Sequence, residues 1–308
     1  MKGFADDFNA FWFAQNVARG GSQDEAKVEP QPLLLIGAGL ARTGTASFQK
    51  AMTMLGLNCY HMLVAHGTRG HLDMWRRYLL DGDNDGDVVV TLEDIVQELA
   101  ALGVNATVDA PTNFDYQKLM QLYPQAKVIL TIRSEENATV AAEKWADSMT
   151  SSVLRVLPIA SDIPWRWFPV ARRLAEFDVA LYKHAKLPQH KQDRHLLADY
   201  YREWNEQVVR NVPADNLLVF RATDGWDPLC DCLSSVSDII RTNCDALIAS
   251  DEPYPHVHDS AKLKSVIAVF VVISILFKAM LVVVPIVASA RLLIRIRSKA
   301  NDSKDKSE

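Results

Sequence analysis

Between Leu33 and Phe220 the chain alternates short apolar runs with longer stretches of helical spacing. The runs Leu33–Gly37, Ala106–Asp109, Val128–Ile132 and Leu217–Phe220 read as strands buried on both faces of a sheet. Helices are predicted over Thr45–Leu55, Leu92–Leu102, Phe114–Leu122, Glu136–Thr150 and Asp199–Asn211. In the first of these, Phe48, Met52 and Leu55 share a face, and Gly56 supplies the stop. Strands separated by helices predict an α/β fold, a three-layer αβα arrangement around a parallel sheet. The last apolar stretch is different in kind. Val266–Ala290 is 25 residues long, carries one charge, Lys278, and one proline, Pro285, and contains 16 Leu, Ile, Val or Phe. At about −0.4 kcal/mol each these favour insertion by about −6 kcal/mol, against about +3 for the lysine. The length suits a transmembrane helix, which needs roughly 20 residues.

The flanks are polar. Lys2, Asp6 and Asp7 precede the aromatic cluster Phe8, Phe11, Trp12 and Phe13, so no uncharged apolar core of a signal peptide is present there. Gly20–Pro32 has the composition of a linker. The expected organisation is an N-terminal segment and linker over 1–32, a folded domain over 33–260, a membrane helix over 266–290, and a basic tail over 291–308.

Composition adds two exclusions. With 308 residues, 49% of them hydrophobic and 23% charged, the chain can bury a core. The net charge of −5 divides into about −9 over residues 1–264 and +4 beyond them. An acidic body speaks against nucleic acid as a partner, and a basic tail after an apolar run points to a membrane. Four cysteines with no CxxC pair make neither a disulfide scaffold nor a zinc site; Cys230 and Cys232 are near neighbours, and Cys59 and Cys244 stand alone in sequence. His61, His66 and His71, five residues apart, do not stack on one helix face.

The first strand leads into candidate chemistry. Gly39-Leu40-Ala41-Arg42-Thr43-Gly44-Thr45 forms a glycine-rich turn between a strand and a helix, an arrangement that aims amides and a helix dipole at an anion. A nucleotide-hydrolysing P-loop requires GxxxxGK[ST]. Gly39 and Gly44 have that spacing, but Thr45 replaces the lysine and Ala46 replaces the magnesium ligand. The cation is Arg42 instead, two residues before Gly44. Gly39, Asp109 and Arg133 all fall at carboxyl ends of predicted strands, where ligands of parallel sheets bind.

Six phrases follow one another along the chain: GxxRTGT at Gly39–Thr45, CYHM at Cys59–Met62, TVDxP at Thr107–Pro111, YPxAKVILTxR at Tyr123–Arg133, GWxPLC at Gly225–Cys230 and DEPxP at Asp251–Pro255. In this order they resemble a divergent sulfotransferase-like P-loop family, over roughly Leu33 to Asp259. The resemblance implies 3′-phosphoadenosine 5′-phosphosulfate as donor and no metal. It places Arg42, Thr43, Gly44 and Thr45 on the 5′-phosphosulfate and Arg133 on the 3′-phosphate. Position 141, where the family has a serine partner for that phosphate, is Ala141, and the usual Asp-Pro after the arginine is Ser134-Glu135. Asp109 matches the position of the base that takes the acceptor proton, and His61 is the second candidate. An aspartate, with a reference pKa of about 4, would need burial to serve. Asp109 could instead cap a helix, pair with Arg42 or, with ATP, hold magnesium.

The expected function is transfer of a sulfuryl group to a hydroxyl or amine of a small-molecule or lipid acceptor. The alternatives are a magnesium-dependent kinase or NTPase, and a non-catalytic membrane protein. Trp165, Trp167 and Phe168 are candidates for the acceptor pocket or for packing. A C-terminal anchor inserted after synthesis leaves the body facing the cytosol. A hairpin bent near Lys278 and Pro285 would also keep both ends there. Asn105, Asn137 and Asn301 begin glycan acceptor patterns, which matter only for a body in a lumen.

Overall fold

The computed structural model describes residues 32–80, 89–188, 193–257 and 259–304, so the N-terminal aromatic cluster and nearly all of the linker lie outside the described residues. Five strands, β1 (Leu35–Gly37), β2 (Cys59–Tyr60), β3 (Ala106–Thr107), β4 (Lys127–Ile132) and β5 (Leu217–Arg221), form one sheet in the order β2-β3-β1-β4-β5. Every pairing is parallel. The helices are α1 (Thr45–Met54), α2 (Met62–Gly67), α3 (His71–Leu80), α4 (Leu92–Ala101), α5 (Tyr116–Leu122), α6 (Ala138–Ser151), α7 (Val156–Ala160), α8 (Pro169–His184), α9 (Arg194–Asn211), α10 (Asp227–Leu233), α11 (Asp238–Ala249) and α12 (Asp259–Lys304).

The central strand shows why its sequence is apolar throughout. Leu35 packs into a core with Phe48 and Met52 of α1, whereas Ile36 packs on the opposite face with Trp75 of α3 and Ile95 of α4. Neighbouring β4 repeats the alternation, with Val128 and Leu130 on the α4 side and Ile129 on the α1 side. Each fully buried side chain of this size contributes about 1.5–3 kcal/mol. A third cluster, built on Trp145 of α6 and Tyr201 of α9, closes the carboxyl edge of the sheet around Leu40. Helix starts are set locally. Thr91 and Asp94 form a capping box on α4, and Asn137, Asp193 and Ser237 cap α6, α9 and α11.

Several expectations change. The sheet has a fifth strand, β2, whose two residues are too few for a periodic signal. The run ATVD is strand only at Ala106 and Thr107, because Asp109 turns into the left-handed region at φ 67. The predicted helix at Phe114 begins as a 3-10 turn over Thr112–Asp115, and α9 starts five residues before Asp199, at Arg194. Cys244 is not alone: it forms a disulfide with Cys230, joining α10 to α11. The C-terminal helix runs unbroken from Asp259 to Lys304 through Lys278 and Pro285, so no hairpin bends there. Within it, Lys264–Arg291 has a mean hydropathy of 2.9 and is long and apolar enough to cross a membrane.

Candidate active site

The turn after β1 is defined by what its glycines allow and by what holds its carbonyls. A Cβ on Gly39 would stand 1.9 Å from Thr131 Oγ1 and 2.7 Å from the Thr131 carbonyl oxygen, so the turn reaches β4 only with glycine there. Gly44 has φ 91 and begins α1. Between them Arg42 takes φ 69, a conformation uncommon for a residue with a side chain. Five successive carbonyls of the turn accept from side chains. Trp204 Nε1 donates to Ala38 at 2.8 Å, Asn113 Nδ2 to Gly39 at 3.2 Å and Thr43 Oγ1 to Leu40 at 2.7 Å. Trp145 Nε1 donates to Ala41 at 2.7 Å, and Arg133 Nη1 reaches the Arg42 carbonyl at 3.5 Å. A trans peptide holds its N–H opposite its C=O, so the amides of Gly39 to Thr43 turn away from these donors. The turn thus places these peptide N–H groups next to the N-terminus of a ten-residue helix, an arrangement chemically suited to an anion.

Three of the predicted residues meet at its edge. His61 follows β2, Asp109 follows β3, and Thr45 opens α1. His61 Nε2 lies 3.1 Å from Asp109 Oδ2 and 3.3 Å from Thr45 Oγ1, all three side chains being buried. The other ring nitrogen is engaged: His61 Nδ1 accepts from the Leu63 amide at 3.1 Å and caps α2. That bond assigns the neutral ring's proton to Nε2, which donates to Asp109. Both ring nitrogens are then engaged, Nδ1 with the Leu63 amide and Nε2 with the Asp109 carboxylate. Its left-handed backbone is locked by its own carbonyl, which accepts from the Asn113 amide at 3.1 Å and Thr112 Oγ1 at 3.2 Å.

Arg42 and Arg133 flank the turn. Arg42 Nε donates to Ser148 Oγ of α6 at 3.1 Å. Arg133, at the end of β4, is fixed through its amide, which donates to Tyr201 at 3.0 Å. Its guanidinium forks onto Glu135, Nε to Oε2 at 3.0 Å and Nη2 to Oε1 at 2.9 Å, and Lys144 approaches the same carboxylate at 3.3 Å. The Arg133 bond is the main cause that holds the Glu135 carboxyl down at about 2. Thr43 spends its hydroxyl on Leu40 and on Thr131 Oγ1, at 2.7 Å from each.

Arg42, Thr45, His61 and Asp109 line one cavity of about 180 Å³, whose remaining wall is mostly apolar, with Phe114, Trp145, Met149 and Leu174, and also carries Tyr182 and the buried Asp178. His66 also borders it; burial holds its imidazole down at about 4, so it is neutral at pH 7. His71 belongs elsewhere, bonded through Nδ1 to the Tyr60 hydroxyl in the core. Trp165, Trp167 and Phe168 are also elsewhere: Trp165 and Trp167 pack on α12. The sequence reading missed Asn113, Thr131, Trp145 and Trp204, which shape the turn. The two indoles come from 104 and 166 residues away, and no local pattern marks them.

A sequence model described as "Sulfotransferase domain" matches residues 34–263. The chain belongs to the sulfotransferase family. The match to the sulfotransferase domain takes in the glycine turn, both arginines and the His61–Asp109 pair, and it ends where the apolar helix begins. The mixed α/β architecture with its parallel sheet is consistent with the sulfotransferase P-loop fold. A relative from Aspergillus versicolor, named "Ava biosynthesis cluster protein M", is 28% identical over 209 residues, 63% of this chain and 74% of its own length.

Proposed function

We propose that this sulfotransferase-family chain is a membrane-anchored enzyme that moves a sulfuryl group from 3′-phosphoadenosine 5′-phosphosulfate to a hydroxyl or amine on an apolar acceptor. The observation that carries the reading is the run of carbonyls from Ala38 to Arg42 held outward by side chains, which leaves amides beside Arg42 for an anion. In this reading the Arg42 side chain and the amides of Thr43, Gly44 and Thr45 hold the 5′-phosphosulfate. Arg133 takes the 3′-phosphate once Glu135 has been displaced. The donor, when bound, supplies an electrophilic sulfuryl group and a phosphate leaving group. The chain's own part is positioning and charge stabilisation, the terms that dominate comparable group transfers. Asp109 accepts the proton of the attacking hydroxyl or amine, and His61 positions the carboxylate through Nε2–H. Fixed cationic and amide donors do for the leaving phosphate what magnesium does in nucleotide kinases. The mostly apolar cavity wall, with Phe114, Met149, Leu174 and Leu181, favours an acceptor with a substantial hydrocarbon part. Helix α12 anchors the protein in a membrane.

The test is calorimetric titration of the full chain in detergent with 3′-phosphoadenosine 5′-phosphate, the spent donor, with and without EDTA. ATP with magnesium runs in parallel. Arg42→Asn is the control, because asparagine tolerates the left-handed backbone while removing the charge. Metal-independent binding of the spent donor, weakened at least tenfold in the variant, supports the assignment. Binding of ATP alone favours a kinase, and silence with both ligands favours a protein that has kept the fold without the chemistry.

A further inference from the structure

Helix α7 stands between the active-site cavity and the apolar helix. Val156 at its start, with Val153 just before it, lines the cavity that contains Arg42, His61 and Asp109. Pro158 and Ile159 of the same helix line a second cleft together with Val271 of α12. The turn that follows is fastened to α12 along its length. Trp165 Nε1 donates to Ser274 Oγ at 2.7 Å, and its ring centroid lies 4.4 Å from that of Phe270. Trp167 meets Phe277 at 5.6 Å, and Asp162 pairs with Lys278. Beside these contacts Trp167, Phe168 and Val170 are more than half exposed, at 59%, 55% and 72%. Arg155, Arg166, Arg172 and Arg173 are exposed around them. Aromatic and aliphatic side chains interleaved with arginines suit the headgroup layer of an anionic bilayer.

The length of α12 sets the depth. Lys264–Arg291 is 28 residues, about 42 Å at 1.5 Å per residue, and exceeds the hydrocarbon thickness by about 12 Å. With Arg291 at the far headgroups, the near boundary falls close to Val271, about 30 Å back. Phe270 and Ser274 then sit at the boundary, and Phe277 lies about 9 Å inside it. Interfacial elements sink about 5–10 Å, so the Trp165–Phe168 turn fits this depth. At that level Lys278 meets a carboxylate instead of standing alone. Lifting the body clear would start the span after Lys278 and draw Arg291, Arg295 and Arg297 inward, at up to about 2.5–3.5 kcal/mol each near the centre.

We infer that residues 153–173 form a platform bedded in the membrane interface, and that the acceptor enters the cavity from the bilayer. The acceptor class is then a membrane-dissolved amphiphile whose hydrocarbon lies along Met149, Leu174 and Leu181 and whose hydroxyl or amine meets Asp109. This rests on the reading that α12 spans a membrane. It is tested by reconstituting the full chain in phosphatidylcholine–phosphatidylserine vesicles that contain a lipid with a diazirine near the end of its acyl chain. After photolysis, the labelled residues are identified by mass spectrometry. Label is expected on α12, on residues 156–172, and on Leu174 or Leu181, each well above that on exposed Val209 of α9. Label on α12 without residues 156–172 would overturn the platform and leave the anchor intact. Label on both without Leu174 or Leu181 would overturn entry from the bilayer. An unlabelled α12 would overturn the spanning reading on which the inference rests.

Discussion

Replacing Glu135 by glutamine should tighten binding of 3′-phosphoadenosine 5′-phosphate. Arg133 presents its planar fork to Glu135 through bonds of 3.0 and 2.9 Å. A phosphate engages an arginine through the same pair of donors, so a 3′-phosphate and Glu135 compete for one site. The two side chains are 25% and 17% exposed, between a solvent-screened surface pair, worth about 0–1 kcal/mol, and buried charge-assisted bonds of about 1.5–3 kcal/mol each. Releasing the pair is therefore expected to favour the ligand by about 1–2 kcal/mol, roughly 5–30-fold in affinity. Glutamine keeps the shape of the side chain and removes the charge that also holds Lys144. The assay is calorimetry of wild type and Glu135→Gln with the spent donor and, separately, with adenosine 5′-phosphate, which lacks the 3′-phosphate. The gain should be confined to the first ligand. Because Arg133 holds the Glu135 carboxyl down at about 2, the competition stays constant across neutral pH. The folded value is below the unfolded one, so the stability this group contributes is complete above about pH 4.3 and is lost as pH falls toward 2. Unchanged or weaker binding in the variant, or an equal gain with both ligands, would refute the competition.

His66, held at about 4 by burial, has a folded value below the roughly 6.5 of an unfolded histidine, so stability should fall as pH drops from about 6.5 to 4. His66→Gln should flatten that limb of a urea-midpoint profile, and identical profiles would count against the buried neutral imidazole. The Cys230–Cys244 bond, with a sequence separation of 14, should contribute about 3 kcal/mol. Reduction, or Cys230→Ala with Cys244→Ala, should then lower Tm by about 6–12 °C, and a change within 1 °C or so would mean that the bond contributes nothing. Orientation is read from Asn137, which is exposed at the start of α6. A cytosol-facing body leaves it unglycosylated in cells and keeps the cysteine pair reduced. A mobility shift on endoglycosidase treatment would place the body in a lumen.

The sequence by itself determined four strands of the parallel sheet, five of the helices around it and the apolar C-terminal helix, because each rests on local periodicity and short-range signals. It also marked the glycine turn, since Gly39 and Gly44 occupy positions where the backbone admits no other geometry cheaply; it placed Gly39, Asp109 and Arg133 at strand ends and named Arg42 and His61 beside them. What it left open depends on contacts between distant segments. The sequence does not show that the Leu63 amide occupies His61 Nδ1, a bond that exists only because His61 caps α2. Glu135 was legible as a departure from a motif, but its occupation of the Arg133 fork is a matter of side-chain packing. The indoles of Trp145 and Trp204 hold the turn from helices far along the chain, and Cys244 finds Cys230 only when α10 and α11 pack together. Local patterns specify elements; the pairing of donors with acceptors across elements is decided by where the tertiary structure brings them.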